Sequence, residues 1–231
     1  YEPAQVIVSC GAKHSLLNIF QALVDPGDEV IVIAPYWVTY PDQIRYSEGE
    51  PVVINTHGDN GFEPDLDQVR DAVTERTVAM VINSPCNPTG AVYSPQTMEG
   101  LAQIAVEKDI ALISDEIYKH IIFDGARHVS PASVSEAAKA KTIIVDGVAK
   151  SYAMTGWRIG WFIGDKDLVK AAASFQGQAT SNPNSIAQAA TIAALRGPQD
   201  SVEAMRREFE RRRDFVVERL STVPGVKCAR P

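Results

Sequence analysis

Short apolar runs alternate along the chain with longer stretches whose apolar residues recur at helical spacing, the pattern of a parallel sheet covered by helices. Seven runs read as strands: Val6–Ser9, Glu29–Ala34, Val52–Asn55, Val78–Ile82, Ile110–Ser114, Thr142–Asp146 and Ile159–Ile163. Between the first two, Leu16, Phe20 and Leu23 or Val24 mark one face of a helix, which Asp25-Pro26-Gly27-Asp28 ends. Ser94-Pro95 predicts another helix start, continued by Leu101, Ile104, Ala105 and Lys108. After Asp165 the character changes. Residues 165–178, 183–196 and 199–220 read as helices, the last with Met205, Phe209, Val216 and Leu220 on one face, and residues 225–229 read as the start of a further strand. The expected fold is α/β, a mainly parallel seven-stranded sheet sandwiched by helices, with ligands beyond the carboxyl ends of its strands. Residues 1–198 are expected to form a large domain. Residues 199–231 are expected to be an interdomain helix and the start of a truncated C-terminal domain.

Composition narrows the partners. With 231 residues, 45% hydrophobic and 22% charged, the chain is an ordinary globular protein. A net charge of −7 disfavours nucleic acid, whose phosphates need basic patches. The densest basic run, Arg206-Arg207 and Arg211-Arg212-Arg213, is interleaved with Glu203, Glu208 and Glu210 and reads as the wet face of a helix. Cys10, Cys86 and Cys228 are too few and too scattered for a disulfide framework, so reduced thiols are expected. No apolar run reaches the ~18 residues of a membrane helix, and the first residues lack the regions of a signal peptide. A cytoplasmic protein with neither membrane nor nucleic-acid partners is expected.

The residues with chemical potential cluster at the ends of the predicted strands. Lys150 follows Thr142–Asp146 in a loop of small residues, where partial desolvation would lower its pKa and free its amine as a nucleophile. Arg158, eight positions on, can hold an anion such as a phosphate with two parallel hydrogen bonds. Together they suggest an aldehyde cofactor, attached at one end and clamped by its phosphate at the other. Gly11-Ala12-Lys13 opens a helix after the first strand, where backbone N–H groups and the helix dipole favour phosphate; the same glycine also suits a purely structural turn. Asn83-Ser84-Pro85-Cys86-Asn87-Pro88-Thr89-Gly90 is a stiff loop that directs Asn87 away from the sheet, as either a self-capping turn or a rigid ligand contact. Asp115, ahead of Glu116-Ile117-Tyr118, can face a cationic ring nitrogen. At ~4 Å and an effective dielectric of about 20 two unit charges attract by about 4 kcal/mol, enough to keep a pyridine protonated as an electron sink. Reading Asp115 as the acid of an ATPase fails, because Gly11-Ala12-Lys13-His14-Ser15 lacks the phosphate-loop pattern. Trp37 suits core packing or stacking on an aromatic ring. His14, His57, His120 and His128 show no metal-ligand spacing, and Gly156, Gly160 and Gly164 do not form a dinucleotide fingerprint.

In order along the chain, Asp25-Pro26-Gly27-Asp28-Glu29-Val30, Pro35-Tyr36-Trp37-Val38, the asparagine loop, Ser114-Asp115-Glu116-Ile117-Tyr118 and Lys150 through Gly160 resemble the class I aminotransferases of fold type I. The resemblance spans the whole chain and is nearest to the bacterial aspartate and aspartate/prephenate subgroup. It implies a pyridoxal 5'-phosphate enzyme in which residues 1–198 are the large cofactor domain. Lys150 would carry the cofactor as a Schiff base and move a proton. Asp115 would pair with the ring nitrogen, Asn87 and Tyr118 would bond the ring oxygen, and Trp37 would stack on the ring. Gly11, Ala12, Lys13 and Arg158 would hold the phosphate end. Lys13, with Trp37 and Asn87, would also meet the substrate, Lys13 through its distal carboxylate. The implied reaction converts L-aspartate and 2-oxoglutarate to oxaloacetate and L-glutamate in a homodimer, its partners being small amino acids and 2-oxo acids. A prephenate-directed aminotransferase, a β-lyase on the same fold and a cofactor-sensing regulatory module remain open. Ala149 stands where many relatives carry serine. The family's arginine for the substrate α-carboxylate and its amino-terminal tyrosine have no counterpart in these residues.

Overall fold

A computed structural model describes all 231 residues. Its single sheet contains β1 (Val6–Ser9), β2 (Glu29–Ala34), β3 (Glu50–Asn55), β4 (Thr77–Asn83), β5 (Ala111–Asp115), β6 (Thr142–Gly147) and β7 (Gly160–Ile163), in the order β1-β7-β6-β5-β4-β2-β3. All seven predicted strands are present, two with the predicted ends and the rest shifted by at most two residues. The neighbours from β6 through β3 run parallel, and β7 is antiparallel to both β6 and β1. The sheet is mainly parallel, as expected.

Helices cover both faces. Because side chains alternate across a strand, Val30 and Val32 of β2 enter one core while Ile31 and Ile33 enter the other. The first core is closed by α1 (Ala12–Leu23), α2 (Thr39–Tyr46) and α6 (Lys166–Ala179), through Leu16, Ile19, Phe20, Ile44 and Val169. The second is closed by α3 (Leu66–Asp71), α4 (Pro95–Glu107) and α5 (Glu136–Lys141), with Met98, Leu101 and Ile104 fully buried. Burial on both faces explains why β2, β4 and β5 read as unbroken apolar runs rather than alternating ones. Ser94 caps α4 as its sequence predicts, its hydroxyl accepting from Thr97 N–H at 3.2 Å. Two further helices, α7 (Ser185–Arg196) and α8 (Asp200–Ser221), complete the chain.

Two expectations are corrected. Residues 225–229 form no strand. They pair with none of the seven strands, and Arg230 beside them bonds Asp124 and Asp214. The basic run on α8 is not uniformly a wet face. Arg207, Arg211 and Arg212 are exposed and bond Glu203 or Glu208, but Arg213 is buried, its guanidinium 4.9 Å from the Phe123 ring centroid and bonded to Asp124 at 2.8 Å. Charge spacing alone does not separate these, because the loop that receives Arg213 is distant in sequence.

Candidate active site

Strand register brings the candidate residues to one edge. In the parallel part of the sheet Asn83 pairs with Asp115 and Asp115 with Val145, so the loops after β4, β5 and β6 leave side by side. At β7 the direction reverses, and its first residue, Gly160, pairs with both Ser9 and Gly147. The residues before β7 therefore meet those after β1 and β6, which sets Arg158 against Gly11 and near Lys150.

The first part of the site is an anion cradle. Gly11 has φ 90°, and a Cβ there would run into the Arg158 guanidinium, so only glycine fits. Both His14 N–H and Ser15 N–H bond the Gly11 carbonyl, which leaves the N–H groups of Ala12 and Lys13 as orphan donors at the start of α1. A Cβ on Gly160 would overlap the Ala12 amide, so β7 can lie this close to the helix start only because residue 160 is glycine. Arg158 is itself left-handed at φ 55°, and its guanidinium donates to the carbonyls of Thr155 at 2.9 Å and Cys10 at 3.3 Å. None of the three cations of the site, Lys13, Lys150 and Arg158, is paired with an acid. Together with the orphan N–H groups they form a site for negative charge.

At the other end Asp115 closes β5 and is 3% exposed. Burial pushes its carboxyl up to about 6; Asp146 and Glu116 push the same way, and hydrogen bonds from Tyr40 and Ile117 hold it down. Tyr40 Oη donates to Oδ2 at 2.7 Å, and Ile117 N–H to Oδ1 at 3.2 Å. Asn83 fixes the neighbouring loops: its amide donates to the Asp115 carbonyl at 2.9 Å, and its Oδ1 accepts from Asn87 N–H at 2.7 Å. Tyr118 sits in a loop tied down at its base. Lys119 Nζ lies 2.6 Å from Asp146, and Glu116 accepts from Ser114 and Ser130 and stands 3.2 Å from His128 Nε2. Burial, followed by Asp115 and Cys86, raises the Tyr118 phenol.

Between these ends lies a cavity of about 290 Å³, lined among others by Ala12, Lys13, Trp37, Asn87, Asp115, Tyr118, Lys150 and Arg158. Gly11 is not among its lining residues but lies against the Arg158 guanidinium. Lys150 Nζ is 5.6 Å from the Tyr118 ring centroid, and Lys13 Nζ is 4.8 Å from that of Trp37. Trp37 is half-buried and faces the cavity rather than being lost in the core. A second cavity of about 800 Å³ adjoins the first at Asn87, Tyr118 and Lys150 and extends to Phe209 and Val216 of α8. Eight of the nine residues singled out from sequence therefore line one cavity, and the ninth, Gly11, lies against Arg158. Tyr40 and Asn83 also line it and were not singled out. Asn83 is signalled by its place at the end of β4, opposite Asp115, but Tyr40 has no such signal.

An amine, an anion cradle and a buried carboxylate thus stand around one cavity. A sequence model of the family described as Aminotransferase class I and II matches residues 1–231, and the chain belongs to that family. It is 47% identical, over all of its length, to the aspartate aminotransferase of Geobacillus stearothermophilus. It is 49% identical over 99% of its length to the aspartate/prephenate aminotransferase of Thermus thermophilus. It spans 59% of the length of each. The solved structure of the Thermus thermophilus aspartate aminotransferase with maleate superposes with a TM-score of 0.94 at 48% identity, covering all of this chain and 60% of that one.

Proposed function

We propose that the full-length protein is a pyridoxal 5'-phosphate-dependent aminotransferase that exchanges amino groups between L-aspartate and 2-oxoglutarate, giving oxaloacetate and L-glutamate. The observation that carries this is the placing of Lys150, Asp115 and the Ala12–Arg158 cradle around a single cavity. The residues fit the cofactor. The orphan N–H groups with Arg158 suit a phosphate, and a buried carboxylate with unfilled acceptor sites suits a ring nitrogen.

When bound, the cofactor supplies an aldehyde for attachment of an amine and a ring that takes up the electrons left as a Cα proton departs. Lys150 would hold the aldehyde carbon and Asp115 the ring nitrogen. Asn87 and Tyr118 would hold the ring oxygen and Trp37 the ring face. Gly11, Ala12, Lys13 and Arg158 would surround the phosphate. Lys150, its Nζ freed as the substrate amine takes its place, would move the proton from the substrate Cα. Lys13, exposed over Trp37 and free of any acid, meets the distal carboxylate, while Trp37 and Asn87 flank the substrate. The Thermus thermophilus structure contains maleate, itself a dicarboxylate, which supports a dicarboxylic substrate. The aspartate/prephenate relative favours one second reading, transamination of prephenate by the same residues.

In this reading residues 1–198 are the cofactor domain and 199–231 lead into another domain. The full-length protein works in the cytoplasm as a homodimer. Exposed Ile186, Ile192 and Leu195 on α7 are apolar surface of the kind an interface covers. Borohydride reduction of the cofactor-loaded, full-length protein followed by peptide mapping tests the reading. The label is expected on Lys150 and absent from Lys150→Ala; a label on another lysine refutes it.

A further inference from the structure

We infer that Tyr40 is a positioning residue that locks Asp115 and Trp37 into one unit, so that a single buried phenol fixes the groups at the edge and the face of the bound ring. The inference rests on the proposed role of Asp115.

Tyr40 is 1% exposed, and its hydroxyl has one partner, Asp115 Oδ2, at 2.7 Å. Its ring stands edge-on to Trp37, with centroids 5.6 Å apart and planes at 89°. Its backbone N–H also donates to the Trp37 carbonyl at 3.1 Å. Tyr40 lies in the first turn of α2, and its ring packs in the same core as Leu16 and Ile44. The phenol is therefore anchored by the scaffold. Burial and the facing Asp115 carboxylate raise its pKa far above that of an ordinary tyrosine, so it stays a donor at every working pH. The direction of the bond is thereby fixed: Tyr40 donates and Asp115 accepts.

The consequence falls on Asp115. Each carboxylate oxygen has about two acceptor sites. Tyr40 fills one on Oδ2 and Ile117 N–H fills one on Oδ1, which leaves acceptor capacity directed into the cavity. The other groups acting on Asp115, namely Asp146 on β6 and Glu116 in its own loop, raise its proton affinity. Tyr40 is the one side chain that donates to this carboxylate and lowers that affinity. Without it, Asp115 would draw the proton away from a ring nitrogen and could rotate about its Cβ–Cγ bond. A core tyrosine that merely satisfied its hydroxyl would have no such effect on the ring.

The test uses the full-length protein loaded with cofactor carrying ¹⁵N at the pyridine position, comparing wild type, Tyr40→Phe, Tyr40→His and Asp115→Asn. In Tyr40→Phe the ¹⁵N resonance is expected to move toward that of an unprotonated pyridine. Turnover should fall about 10- to 100-fold, the worth of one hydrogen bond to a charged group, while KM for aspartate changes less than about twofold. Tyr40→His keeps a flat ring with an N–H donor and should recover part of both signals, and it serves as the reporter if the Phe variant does not fold. An unchanged resonance and turnover in Tyr40→Phe, with the resonance displaced in Asp115→Asn, overturns the role of Tyr40 alone. A resonance unmoved by Asp115→Asn overturns the underlying assignment of Asp115.

Discussion

Replacing Asp115 by asparagine is expected to stabilise the cofactor-free protein at neutral pH while removing the group proposed to hold the ring nitrogen. Burial lifts the carboxyl from 3.8 to about 6, against the hydrogen bonds from Tyr40 and Ile117. A folded-state pKa above the unfolded value means that the native state holds the proton more tightly. Stability is intact below the unfolded pKa and is lost as pH rises from about 4 through about 6. One unit is about 1.4 kcal/mol, so a shift of roughly two units costs about 3 kcal/mol above pH 7, of which about 1 kcal/mol is already lost at pH 4.5. Asparagine nearly matches the carboxylate in shape. Its carbonyl can accept from Ile117 N–H and its amide can donate to the Tyr40 oxygen, so it avoids the charge without opening a cavity.

Urea unfolding of the cofactor-free, full-length protein, at one protein concentration, provides the assay. The advantage of Asp115→Asn over wild type should widen by about 2 kcal/mol between pH 4.5 and pH 7.5. A gap of the same size at both pH values, or a variant less stable at pH 7.5, would refute the view that desolvation governs this carboxyl. With cofactor bound the order should reverse, because a cationic ring nitrogen offsets the buried charge only when residue 115 is an acid. A site that destabilises its own scaffold until its ligand arrives is the expected signature of a functional carboxylate rather than a structural one.

Two further outcomes follow from the geometry. Lys13→Met should raise KM for aspartate about tenfold, the effect of losing one exposed charge-assisted bond, and leave KM for alanine within about twofold; equal effects on both would remove Lys13 from distal-carboxylate recognition. Gly160→Ala drives a Cβ into the Ala12 amide, so affinity for pyridoxal phosphate in an absorbance titration should fall at least about tenfold while that for pyridoxal barely moves. Comparable losses for the two ligands would show that the cradle does not bind the phosphate.

Much of the fold was legible because its signals are local. The strands are short, mostly apolar runs, several of them flanked by Gly, Pro or Asp, as β2 is by Asp28 and Pro35, and α4 carries its own cap in Ser94. The helices α2, α3 and α5 were not legible, although Asp65 caps α3 and Ser135 caps α5. α3 and α5 have six residues each, too short to show a helical period. α2 begins without a side-chain cap and contains Pro41. Tyr40 was illegible for the same reason. Its importance comes from a hydrogen bond across 75 residues, and a lone tyrosine after Trp37 gives no hint of one. Residues 225–229 show the converse, a local pattern that suits a strand but pairs with none of the seven strands.

Arg158 shows most sharply what strand patterns alone cannot determine. Gly11, Asn87, Asp115 and Lys150 follow strands, so a parallel sheet delivers them to its carboxyl edge without further information. Arg158 precedes a strand. Had β7 run parallel to β6, Arg158 would emerge at the opposite edge, about 13 Å away for a four-residue strand, and the anion cradle would not exist. Periodicity identifies β7 as a strand but is silent on its direction. The family motif running from Lys150 to Gly160 carried that assignment, because it fixes the two cations as parts of one site whatever the strand does. The pairing of Gly160 with both Ser9 and Gly147 supplies the physical reason. A single reversed strand, kept close to α1 by a glycine, lets one connection deliver both the amine and the guanidinium to the same cavity.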